Sequence, residues 1–304
     1  MPTILHISDL HFGPPYVPRV GESLVRLAPD LEPDVIVASG DFTQRARREQ
    51  FEQAQQFLDR LPRVPLVVAP GNHDVPLYRI VERLFQPHRL YLEFISDRLD
   101  QVHRIEGMTI VALNSTAPRR AISNGRISRW QLEFAARAFE RAGPEDIKVV
   151  VTHHHLAPAP DYEGGQVMPK AKRAIDRFDQ LGVNLILGGH LHRAYIGNSL
   201  DVYPGIERER GIIIVQSGTS TSRRGRARER EKNSFNLITI DEPGIRITHY
   251  MYFEDLDGFG PISRHLFPAP GRMTLGPASP PVDVDLGGAV RPSHEASVLR
   301  RFDD

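Results

Sequence analysis

The sequence predicts an α/β protein, and three observations predict it. Short β-branched runs such as "TILHI", "DVIVAS" and "IKVVVT" recur along the chain. Longer stretches with the apolar spacing of amphipathic helices stand between them, the order expected of a sheet built from crossover units. From about residue 211 the helical patterns stop and strand-like runs follow one another, which predicts a second, partly antiparallel sheet packed against the first.

Taken in order, strands are predicted at 3–7, 34–39 and 65–69, with helices over 19–29 and 46–60 between them. A helical stretch covers 76–98, and the turn "EGM" separates strands at 101–105 and 109–113. Then come a helix near 128–142, a strand at 147–152, a helix near 169–181 and a strand at 183–187. The last predicted strands are 211–216, 234–240 and 245–252, closing a first domain over 1–254. From about 255 proline and glycine become frequent enough to preclude regular elements. Residues 255–304 therefore read as an extended or partly disordered tail that drapes over the domain or mediates homo-oligomer formation.

Composition narrows the function classes. A chain of 304 residues with 40% hydrophobic content buries a sizeable core. Lys and Arg number 38 and Asp and Glu also 38, so no global basic field drives binding to nucleic acid or anionic membrane. Cysteine is absent, which excludes disulfides, thiolate nucleophiles and sulfur-rich zinc sites; any metal is held by nitrogen and oxygen. No signal-like start and no apolar run of about 18 residues occurs, the pattern of a cytoplasmic protein with no membrane partner. The charged stretch 221–232, "TSRRGRAREREK", reads as a solvated loop, with Arg223 and Arg224 set apart as candidates for a substrate clamp.

The chemistry-bearing residues cluster at strand ends. Asp9 and His11 follow the first strand, Asp41 the second in "ASGDFT", and Asn72 and His73 the third in "APGNHD". His153, His154 and His155 follow "KVVVT", and His190 and His192 follow "NLILGG". In open α/β sheets the ligand site lies outside the carboxyl ends of the strands, so residues far apart in sequence meet there. Residues two apart on extended backbone point the same way, which turns Asp9 with His11, and His190 with His192, toward one centre. Each motif alone is explained by a turn or a polar corner; their joint occurrence at five strand ends is not. His6, His88, His103, His249, His265 and His294 have no such companions and read as structural or surface residues.

The order D-x-H, GD, GNHD, a histidine after a strand and GH-x-H resembles the calcineurin-like metallophosphoesterase superfamily. With "ILHISDLHFG", "VVVTHHHLAP" and "SGTSTSRRG…NSFNLITI", residues 1–252 look most like the bacterial class III cyclic-nucleotide phosphodiesterases. The resemblance implies a four-layer αββα sandwich of two mixed β-sheets flanked by helices. It also implies a binuclear centre of Mn, Fe or Zn, the metals that suit mixed carboxylate, amide and imidazole donors. By the family pattern Asp41 bridges, Asp9, His11 and His192 complete one metal site, and Asn72, His153 and His190 complete the other. The ligand within His153–His155 is open in register; His153 comes first after the strand, with His154 next. A metal-bridged hydroxide is the implied nucleophile and His73 the outer group that contacts the phosphate or protonates the leaving oxygen. Asp74 reads as a turn or orienting group. The implied activity is hydrolysis of a small soluble phosphodiester, 3',5'-cyclic AMP leading and glycerophosphodiesters near it. A nuclease, a phosphomonoesterase and a non-catalytic binding or scaffold protein are the alternatives, the first disfavoured by the neutral charge.

Overall fold

Strand residues sort onto two faces with a period of two, and that sorting builds the layers. In the computed structural model, which describes residues 2–120, 124–158, 167–204, 211–241, 244–268 and 275, β1 (Thr3–Ile7) and β2 (Val35–Ala38) show the pattern clearly. Ile4, Val35 and Val37 enter a core between two sheets, while Leu5, Ile7, Ile36 and Ala38 face a second core under helices. β6 (Ile147–Val151) and β7 (Leu185–Gly188) repeat this on the opposing sheet, with Val149, Val151, Leu185 and Leu187 inward and Val150 and Ile186 outward.

The outer layers are amphipathic helices. α1 (Pro18–Leu27), α2 (Arg48–Leu58) and α4 (Arg89–Phe94) set Leu24, Phe51, Phe57 and Leu90 on the first sheet. α3 (Ile80–Phe85) instead leaves Ile80, Val81 and Phe85 exposed. α5 (Arg129–Phe139) and α6 (Ala171–Gln180) set Leu132, Phe139, Ile175 and Phe178 on the second. Ser128 and Gln131 close a capping box at the start of α5. The result is the four-layer αββα sandwich.

Chain order and sheet membership differ from the sequence expectation. With β3 (Leu66–Val68), β10 (Ser234–Asp241), β11 (Gly244–Phe253) and β12 (Gly258–Pro268), the first sheet runs β12-β11-β10-β1-β2-β3. With β4 (Gln101–Ile105), β5 (Met108–Ala112), β8 (Tyr195–Asn198) and β9 (Ile213–Gln216), the second runs β4-β5-β6-β7-β9-β8. The late strands thus do not make a sheet of their own. β10 pairs antiparallel with β1, adding the C-terminal meander to the N-terminal sheet, and β9 pairs parallel with β7. Two smaller differences have local causes. The stretch 76–98 makes two short helices, α3 and α4, separated around Pro87, whose ring cannot continue a helix. β12 forms where proline and glycine were expected to preclude structure, because an edge strand tolerates both: Pro261 pairs opposite Tyr250 beside a register shift. Of the tail 255–304 expected to mediate self-association, residues 269–274 and 276–304 lie outside the described residues, as does His294. No described helix is long and apolar enough to cross a membrane.

Candidate metal centre

The site lies at the carboxyl ends of five strands, but of two sheets rather than one. β1, β2 and β3 deliver Asp9, His11, Asp41, Asn72 and His73; β6 and β7 deliver His153, His190 and His192. The local backbone is also not extended. Asp9, His11, Asp41, His190 and His192 have φ of 53°, 50°, 54°, 74° and 54°, the left-handed region that non-glycine residues seldom occupy. Left-handed residues turn the chain sharply at each strand end, and such strain persists only where the surroundings fix it.

Those surroundings are specific. Gly189 packs so closely on the first loop that a Cβ there would stand 2.4 Å from Asp9 Oδ2. The His190 N–H donates to that same oxygen at 3.0 Å. Asp74, which the sequence assigns to a turn, staples two loops: its carboxylate accepts from the N–H groups of Gly71, Phe42 and Thr43 at 2.9, 3.2 and 2.9 Å. Burial, together with the nearby Asp41 charge, pushes the Asp74 carboxyl up to about 7. Sequence reasoning missed a sixth strand end. After β9 the loop 217–226 backs the Asp9, His11 and His192 group, with Thr219 and Thr221 hydroxyls donating to the carbonyls of Asp9 and Leu10 at 2.7 and 3.0 Å. The Arg226 N–H holds the His192 carbonyl at 3.0 Å. In the sequence "SGTSTSRRG" carries part of the family resemblance, and Arg223 and Arg224 are set apart there, but its hydroxyls receive no part in the site, because they are neither carboxylates nor imidazoles.

All seven residues expected around the metals come together. Asp9, His11, Asp41 and His192 are fully buried, with one donor atom from each lying within 4.8 Å of the others. His192 Nε2 is 3.1 Å from Asp9 Oδ1 and 3.1 Å from His11 Nε2. On the other side, Asn72 Oδ1 sits 3.2 Å from His153 Nε2 and 2.9 Å from His190 Nδ1. Asp41 belongs to both groups: its Oδ2 is 3.6 Å from His11 Nε2 and 3.4 Å from His153 Nε2. Within the triplet, His153 is the residue at Asp41 and Asn72, with its Nδ1 donating to the Ser39 carbonyl at 2.8 Å. His154 Nδ1 meets Ser115 Oγ at 2.8 Å, and His155 stacks on His190 with ring centroids 5.6 Å apart. His73 donates its backbone N–H to Asp41 Oδ1 at 2.7 Å, and its Nδ1 lies 2.9 Å from the Gln44 carbonyl.

The electrostatics fit a cation. Asp9 Oδ1 and Asp41 Oδ2 are buried and make no hydrogen bond, an expensive state for carboxylate oxygens. Burial opposes their charge, yet His192 at Asp9 and His153 at Asp41 hold both carboxyls well below the usual range. Burial drives His11 down to about 3 and lowers His190, leaving neutral imidazoles with lone pairs to offer. At His153 burial works the same way but the Asp41 charge outweighs it, raising the imidazole to about 9. The neutral nitrogens of His11 and His190 and the bare carboxylate oxygens of Asp9 and Asp41 are donor types that a metal centre uses.

Fold and donors together define an αββα protein with a candidate metal site at its strand ends. A family model, calcineurin-like phosphoesterase, matches residues 2–194, and the chain belongs to that family. Its members are phosphoesterases that use two divalent metal ions, Fe, Zn or Mn, and the buried Asp/His cluster fits a metal site. Among solved structures it is similar to the purple acid phosphatase PPD1 of yellow lupin, Lupinus luteus, at 13% identity and a TM-score of 0.64. That match covers 90% of this chain and 54% of the lupin protein, so the chain spans about half of that relative's length. It is similar too to a dimetal phosphatase from Danio rerio (11% identity, TM-score 0.60, 88% of this chain and 98% of that one). GAP50, the anchor in the inner membrane complex of Plasmodium, shares the fold at 10% identity and a TM-score of 0.60, over 88% of this chain and 89% of that one. A comparison with curated proteins finds no match.

Proposed function

We propose that the chain is a binuclear metal-dependent phosphodiesterase acting on a small soluble diester. The observation that carries the reading is Asp41 Oδ2, buried, without a hydrogen bond, and 3.6 and 3.4 Å from imidazole nitrogens of two separate donor groups. A carboxylate in that position is what a bridging ligand requires. Asp9, His11 and His192 would hold one ion with it, and Asn72, His153 and His190 the other. The metals, Mn, Fe or Zn by donor type, supply Lewis-acid stabilisation of phosphoryl charge and lower the pKa of water.

The protein groups do the rest. Asn72, His73 and His190 are the half-exposed members of the set, so substrate enters on their side. His73 donates Nδ1–H to the Gln44 carbonyl, which leaves Nε2 as the nitrogen for a phosphate or leaving-group oxygen. Its backbone bond to Asp41 ties that imidazole to the bridge. The bacterial class III resemblance makes 3',5'-cyclic AMP the first diester to try. A non-catalytic role would be favoured by a missing ligand, and every position of the pattern is filled.

The test is hydrolysis of bis(p-nitrophenyl) phosphate against p-nitrophenyl phosphate by metal-stripped protein with Mn added back, followed by cyclic AMP. Metal-dependent cleavage favouring the diester is expected. Equal or better cleavage of the monoester would replace the reading by a phosphomonoesterase, and no cleavage with any metal would remove catalysis from it.

A further inference from the structure

A cationic rim beside the metal centre is unused by this reading. Arg224, on the loop after β9, is half-buried, and its Nη1 donates to Gln44 Oε1 at 2.9 Å. Gln44 is the same residue whose carbonyl holds His73. Arg45, next in the chain and also half-buried, lies over the Tyr78 ring with 5.4 Å from guanidinium carbon to centroid. Arg226, fixed by its backbone to His192, completes the group. Arg224 lies within electrostatic reach of Arg45 and Arg226, and also of Asp41 and Asp9. Among the described residues none of the three forms an ion pair with a carboxylate.

A half-buried guanidinium whose hydrogen-bond partner is an amide is a costly arrangement unless an anion joins it. Asp9 and Asp41 are the anions at hand, but as metal ligands their charge is taken up by the ions. The scissile phosphate would be addressed by the same ions. Three positive charges are left over, in the planar fork form that matches carboxylate or phosphate oxygens. We propose that Arg45 and Arg224, with Arg226 at the outer edge, form a second anion subsite beside the reacting phosphorus, so that the preferred substrate is a small phosphoester carrying a further carboxylate or phosphate. This rests on the hydrolytic reading of the metal centre. In the reaction the P–O bond to the leaving group breaks, water supplies the oxygen that stays on phosphorus, and its proton ends on the leaving oxygen. The arginines take no part in that exchange; they select what is held next to it. Cyclic AMP, whose single charge is the scissile phosphate itself, is then a slower substrate than a diester with a free anionic group.

The experiment is calorimetric titration of the full-length Mn-loaded protein with three probes: glycerol 3-phosphate, 3-phosphoglycerate and glycerol 1,3-bisphosphate. One or both of the probes that carry a second anionic group is expected to bind about tenfold tighter than glycerol 3-phosphate, the scale of one charge-assisted pair. Which of the two is preferred distinguishes a carboxylate from a phosphate. In Arg45→Gln/Arg224→Gln the ratio is expected to fall to near one, whereas a mere folding defect would weaken all probes together. Should that variant melt early, Arg45→Gln alone, away from the buried loop, should still lower the ratio. Equal binding of the three probes by the wild type, no binding of any, or a ratio that survives the substitutions overturns the subsite. Failure to hydrolyse bis(p-nitrophenyl) phosphate with the binding ratio intact would instead sink the hydrolytic reading.

Discussion

The two halves of the metal centre are built differently. The group of Asp9, His11 and His192 is closed, every residue at most 2% exposed, and it is backed by the hydroxyls of Thr219 and Thr221. The group of Asn72, His153 and His190 is half-open, because Asn72 and His190 reach the surface and their support comes from flanking loops. A closed half holds its ion by enclosure; an open half trades that for access. Under the proposed function, the difference assigns exchange and substrate entry to the open half, and Asp41, shared by both, is the residue on which the comparison turns.

Asp41→Ala is the largest expected effect. Losing the shared carboxylate should lower hydrolysis by about 10³-fold or more and reduce metal content below two ions per chain, read by elemental analysis with circular dichroism as the fold control. Wild-type turnover in this variant would end the bridging role. Next, His192→Ala and Asn72→Ala test the two halves against each other. Both should cost about 10²-fold at low Mn. Raising Mn should restore Asn72→Ala, where water can replace an amide oxygen at an open position. It should leave His192→Ala impaired, since its cavity is sealed. The same recovery in both variants would erase the distinction.

How far this site was legible from sequence depends on the kind of residue. The convergence of these residues was legible because carboxylates and imidazoles at successive strand ends have no common structural use, and a strand end is visible in "KVVVT" or "NLILGG". The α/β class and most strands were legible from period-two runs for the same reason. Sheet membership was not: β10 reaches β1 across more than two hundred residues, and nothing local in "SFNLITI" says which edge it joins. β12 was hidden because its prolines and glycines argue against a strand everywhere except at an edge. The left-handed φ values at Asp9 and His192 were invisible too, since the residue types that carry them were chosen for their donors and the strain is absorbed by contacts from Gly189 and the 217–226 loop.

A smaller effect follows from pH, and it falls on the open half. His88 is buried, its Nε2 is 2.7 Å from Thr116 Oγ1, and burial lowers its imidazole to about 4. Thr116 adjoins Ser115, the partner of His154, so this contact backs the open side. A histidine held neutral in the fold but titrating at 6.5 when unfolded leaves stability intact above that value and removes it as pH falls from there toward about 4. Between pH 6.5 and 5 the loss is about 2 kcal/mol. Thermal unfolding of the metal-free protein should show it, and His88→Gln should flatten the slope; an unchanged slope would assign the acid sensitivity elsewhere.

The finest test is aimed at the closed half's backing. Thr219 Oγ1 gives its hydrogen to the Asp9 carbonyl at 2.7 Å, at a residue with φ of 53°. Thr219→Val keeps the shape and deletes the donor, leaving that buried carbonyl short of a partner, at a cost of about 1 kcal/mol. If the hydroxyl serves only the fold, the melting point drops and Mn dependence stays as it was. If it holds Asp9 in its left-handed turn so that Oδ1 stays aimed at His11 and His192, the Mn concentration for half-maximal activity rises several-fold as well. The corresponding loss on the open side, Ser115→Ala beneath His154, should leave Mn dependence nearly unchanged, because an ion held in an open half is less sensitive to the precision of its backing. A larger shift from Ser115→Ala than from Thr219→Val would reverse the assignment of which half depends on enclosure.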